Sequence, residues 1–166
     1  MDPITTTPFA ALTIIVAPAI LTNASSVLCL GTGNRIARVV DRTRILAGEL
    51  ARIEPASERA AAYREQLDHL KLRAHLLLRA MRCFYMSIGA FAAAALTAVV
   101  GTALATVMGD AVFRGIALLG LAAGTTGVAG LVIGGAVMVR ETKAAVRLLE
   151  REAELMHHAP PGKGWI

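Results

Sequence analysis

Charge is missing from three long stretches of this 166-residue chain, at 3–33, 83–109 and 115–139. Aromatic residues make up only 4%, and there are two cysteines and one tryptophan. Each shortage excludes something. With 17% charged and 55% hydrophobic residues, the chain falls short of the roughly one-quarter charge content of soluble domains. Two cysteines do not make the disulfide scaffold of a small secreted protein. Only seven aromatics in the whole chain leave no stacking platform for nucleic-acid bases.

The charge gaps also define the fold class. The hydrocarbon core of a bilayer takes about 20 apolar residues of helix, and each gap is long enough. A chain this short cannot supply the polar surface needed to enclose three apolar helices. The sequence therefore predicts a single all-α membrane domain over 1–166, with three transmembrane helices near 9–31, 84–108 and 115–138 and a Thr-rich lead-in before the first. The first span has no basic residue ahead of it, which argues against a secretory signal. Residues 34–82 hold 11 of the 17 basic residues, the tail from Arg140 holds five, and the 110–114 loop has only Arg114. Lys and Arg gather on the cytoplasmic side of spans. The expected orientation is N-terminus outside, 34–82 inside and C-terminus inside.

Apolar periodicity continues beyond the spans. Residues 34–54 place Ile36, Val39, Val40, Leu46, Leu50 and Ile53 at helical spacing. Ala60, Tyr63, Leu67, Leu70, Ala74, Leu77 and Met81 step by threes and fours, as a heptad seam does. Pro55 cannot occupy a helix interior, so a turn belongs at 54–57. An antiparallel, coiled-coil-like cytoplasmic hairpin over 34–82 is predicted. A C-terminal cytoplasmic helix over 139–157 carries a further seam at Val139, Thr142, Val146, Leu149, Ala153 and Met156. Glu141, Glu150, Glu152 and Glu154 alternate with Lys143, Arg147 and Arg151, which reads as a solvated face. Seams on every arm favour a homo-oligomer.

Within the spans, Gly120/Gly124 and Gly130/Gly134 are small-xxx-small pairs that bring helix backbones close together in lipid. In the first span Pro18, Thr22, Ser25, Ser26, Cys29 and Gly33 form a small, polar stripe, with Asn23 to one side. The stripe reads either as a pore lining or as an interhelical contact. Asn34, Arg35, Arg38, Asp41 and Arg42 follow at headgroup level. They form either a cytoplasmic mouth or a lipid-headgroup cuff, with anionic lipid as the expected partner. Asp41 is spaced to pair with Arg38 and Arg44.

The Ala17-Pro18-Ala19 opening, the polar first span, Asn34-Arg35 followed by Asp41-Arg42, and a basic patch around Lys71, Arg73 and Arg79 resemble a widespread family of small bacterial membrane proteins. That family is catalogued only as a domain of unknown function. The resemblance covers most of the chain. It implies three spans and a bacterial inner membrane, and it brings no reaction with it.

No nucleotide loop, nucleophile elbow or H-E-x-x-H motif occurs. His69, His75, His157 and His158 have no metal-ligand spacing, so neither metal nor cofactor is expected and the chain reads as a non-enzyme. No ionisable residue lies mid-span, which argues against a proton-coupled transporter. Two functions are left. One is a homo-oligomeric ion channel with the first span lining the pore and a basic mouth, which the polar stripe favours. The alternative is a non-conducting scaffold or accessory subunit that holds a partner through its cytoplasmic coiled coil.

Overall fold

A computed structural model describes residues 8–104 and 109–158, with side chains from Val16 onward except at 110, 148–149 and 151–158. Three helices follow one another: α1 (Pro8–Leu50), α2 (Glu58–Leu104) and α3 (Asp110–His158). No strand occurs among the described residues. Each helix contains a segment long and apolar enough to cross a membrane, within Val16–Leu50, Glu58–Leu104 and Ala111–Arg147. The chain is a three-helix, multi-pass membrane protein. The predicted limit of the second span at 108 and the tail beyond His158 lie outside the described residues.

Every helix runs unbroken from its apolar segment into a charged arm. No glycine or proline interrupts α2 between Arg73 and Phe84, so nothing in the sequence stops the helix at the membrane edge. At the far end of the arms α1 closes with bonds that reach back three residues, from Arg52 N to Glu49 O and from Ile53 N to Leu50 O. Ser57 then caps α2: its Oγ accepts the Ala60 N–H at 3.2 Å. That cap satisfies one of the orphan donors at a helix start. Arg64 donates to the Pro55 carbonyl at 3.1 Å and ties the turn to α2.

α2 is central, with α1 and α3 packed on it. Along the arms Val39 and Leu46 of α1 bury against Leu70 and Leu77 of α2, flanked by Ile36, Tyr63 and Leu67. The 60–81 seam is thus filled within the hairpin. The α3 seam differs: Val139 and Val146 are exposed, as is Thr142. The side chains of Leu149, Ala153 and Met156 lie outside the described residues. Nearer the membrane, Cys29, Ala80, Phe84 and Val137 bring all three helices into one cluster.

α2 and α3 meet along a zipper of glycines. A Cβ on Gly127 would lie 2.5 Å from the Phe91 ring, one on Gly134 2.5 Å from the Phe84 ring, and one on Gly120 2.9 Å from Thr97 Oγ1. Gly130 sits against the Ser87 hydroxyl and the Cys83 carbonyl. These glycines let the backbones approach and leave room for two buried aromatic rings. Gly124 is different: nothing lies within 4 Å of its Cβ position. It borders a cavity of about 750 Å³ between the helices, lined also by Pro18, Leu21, Phe91 and Thr97.

Candidate functional site

Among the described charged side chains beside the apolar segments, one is buried. Glu141 of α3 is 1% exposed. The expectation of a solvated face is overturned at this residue, while Lys143, Arg147 and Glu150 on the same arm are exposed. The reason is register. Gly127, Gly130, Gly134 and Val137 step by threes and fours along the face that meets α2, and the next step of four lands on Glu141.

A buried carboxylate needs compensation, and Glu141 has it from both other helices. Arg73 of α2 donates through Nε to Glu141 Oε1 at 2.9 Å, and its Nη2 also lies 2.9 Å from Oε1. Arg35 of α1 donates through Nη1 to Glu141 Oε2 at 3.1 Å and to Thr142 Oγ1 at 3.2 Å. Each carboxylate oxygen is therefore held by one guanidinium. The fork geometry of arginine suits this better than lysine would. Just above the pair, Thr32 contacts Met138 Sδ at 3.7 Å, which is a further α1–α3 contact. The arginines remain partly open to solvent at 43% for Arg35 and 28% for Arg73, and the node carries one net positive charge.

The other residues of the basic run fall differently. Arg38, Asp41 and Arg42 are exposed, as is Asn34. Asp41 meets Arg44 at 4.0 Å, and no pair with Arg38 occurs among the described residues. This contact and the exposed Lys71–Asp68 pair at 2.9 Å contribute little, because solvent screens surface pairs. Arg79, Arg82 and Arg140 add exposed positive charge at the edge of the apolar segments.

The first-span stripe divides. Ser25 and Cys29 are buried, Pro18, Thr22 and Gly33 are half-buried, and Ser26 is exposed. Gly33 lies 3.6 Å, measured from its Cβ position, from the Met81 methyl of α2. The hydroxyls turn back on their own helix: Thr22 donates to the Pro18 carbonyl at 2.8 Å, Ser25 to Leu21 at 2.8 Å and Ser26 to Thr22 at 2.9 Å. In lipid this satisfies them without a partner or water. The threonines around the cavity behave alike, with Thr97 and Thr102 bonded to carbonyls three or four residues back. Thr125 makes the same kind of bond. Cys29 and Cys83 are free thiols.

A model of the family described as protein of unknown function (DUF2721) matches residues 15–151. That stretch contains Arg35, Arg73 and Glu141 together with the glycine zipper. No curated protein and no solved structure matches the chain.

Proposed function

We propose, for a chain that belongs to the DUF2721 family of proteins of unknown function, the role of a homo-oligomeric, non-conducting scaffold in the bacterial inner membrane. The observation that carries this reading is the use made of the polar stripe. Ser25 and Cys29 are buried inside the subunit, and the stripe's hydroxyls are bonded to their own backbone. A pore lining needs polar groups turned toward water, whereas Ser25 and Cys29 face the inside of the subunit and the hydroxyls of Thr22, Ser25 and Ser26 donate to their own helix.

The excess of Lys and Arg in 34–82 and in the tail supports an orientation with the N-terminus outside and the arms in the cytoplasm. Exposed Arg38, Arg79, Arg82 and Arg140 then meet anionic lipid headgroups. The node at Glu141 joins the three helices where they leave the bilayer, so the arms project as one body. Ile45, Leu72 and Val146, at 53%, 54% and 46% exposure, offer apolar positions for a partner, whereas Leu70 holds the hairpin together.

Full-length protein in planar bilayers is expected to give no discrete conductance steps. Steps that disappear in Thr22→Leu and Ser26→Leu variants would overturn the scaffold and restore a channel lined by the first span.

A further inference from the structure

Asn23 is the exception among the described polar side chains of the spans. Among the described residues, every Ser and Thr hydroxyl of the apolar segments bonds to its own helix. Among the described residues the exposed Asn23 side chain has no hydrogen-bond partner. It lies twelve residues before Arg35, which is about 18 Å along a helix, close to the middle of a hydrocarbon core about 30 Å thick. An unsatisfied amide at that depth has no water to turn to.

Its neighbours form a pattern. Val16, Ile20, Asn23, Val27 and Leu30 step by four, three, four and three along the outer face of α1. All are exposed, Ile20 at 62%, Val27 at 61% and Leu30 at 68%. This is a second heptad seam on α1, opposite the one that buries Ser25, Cys29, Thr32, Val39 and Leu46 against the rest of the subunit. An apolar heptad seam with one asparagine at a core position is the arrangement that fixes register and partner number in coiled coils.

We infer that the outer face of α1 is a self-association surface, and that Asn23 hydrogen-bonds with Asn23 of a second copy of this chain. The chemistry selects a second copy. An amide carries both donors and an acceptor, so it is its own complement. Rotation about an axis normal to the bilayer puts the same residue of each copy at the same depth. A lipid acyl chain offers neither a donor nor an acceptor. The inference rests on the self-association in the scaffold reading and adds to it the surface and the residue.

The test is energy transfer between donor- and acceptor-labelled full-length protein in liposomes, over a series of protein-to-lipid ratios. Asn23→Leu is expected to weaken association about tenfold, the scale of one interhelical hydrogen bond in a membrane. Asn23→Gln, which keeps the amide, is expected to retain most of it. Because the Asn23 side chain bonds to none of the described residues of the subunit, Asn23→Leu should leave helix content and thermal unfolding unchanged, so misfolding is separable from lost association. Wild-type and Asn23→Leu proteins that associate equally would overturn the inference and leave the oligomeric scaffold standing. A wild-type protein that shows no energy transfer above random proximity would overturn both.

Discussion

Replacing Arg35 and Arg73 together by methionine is expected to destabilise the protein by about 3 kcal/mol, the scale of an ion stranded in a buried site. Replacing Glu141 by methionine should cost about 1 kcal/mol or less. The asymmetry follows from exposure. Glu141 is 1% exposed and cannot recover water when its partners are gone. Arg35 and Arg73 are 43% and 28% exposed, and both have long flexible stems that let the guanidinium reach solvent. The triple variant, with methionine at all three positions, should return to within about 1 kcal/mol of wild type, because buried ion networks are replaceable by apolar groups of similar volume. Unfolding titrations in detergent micelles measure all three. Equal losses for the carboxylate and the arginine pair, or a triple variant as unstable as the sum of its parts, would show that the node does not hold a buried charge.

The second large effect lies in the glycine zipper. Gly127→Ala and Gly134→Ala are each expected to destabilise the packing of α2 on α3 by about 1–3 kcal/mol, the usual range for overpacking. Each added methyl would lie 2.5 Å from a ring carbon, on Phe91 or Phe84, and both rings are almost completely buried. Gly130→Ala belongs with them, since part of what it meets is the Cys83 backbone carbonyl, which cannot rotate away. Gly124→Ala and Gly135→Ala enter open space and should change stability by less than about 0.5 kcal/mol. Pairing Gly127→Ala with Phe91→Leu should recover part of the loss. Five alanine variants with the same unfolding midpoint would contradict this packing.

These contacts differ in how far the sequence reveals them. The three charge gaps and the Pro55 turn mark the helices directly, because both signals are local. The hairpin seam is legible for the same reason, since Leu70 and Leu77 repeat every seven residues. The glycines are only partly so. Spacing by four singles out Gly120/Gly124 and Gly130/Gly134, yet each step of four rotates about 40° beyond a full turn. The contact face stays in line by alternating threes and fours, which brings in Gly127 and leaves Gly124 at the cavity. The same stepping leads from Gly134 through Val137 to Glu141, so the buried carboxylate was visible as a position on a face. Charge alternation along the arm hid it, because Lys143 and Arg147 make the segment resemble a solvated helix. Its partners were not legible at all. Arg35 lies 106 residues from Glu141 and Arg73 lies 68, and no local pattern brings three separate helices to one carboxylate.

The claim that the arms are folded helices joined to the membrane segments at Glu141 is tested most directly by hydrogen–deuterium exchange on the full-length protein in lipid nanodiscs. Wild-type amides over 36–46 and 67–80 should exchange slowly. In the Arg35→Met/Arg73→Met variant the arms should exchange faster while 84–101 and 116–134 stay protected. Arms that exchange at unstructured rates in the wild type, or protection that the double variant leaves unchanged, would contradict the account.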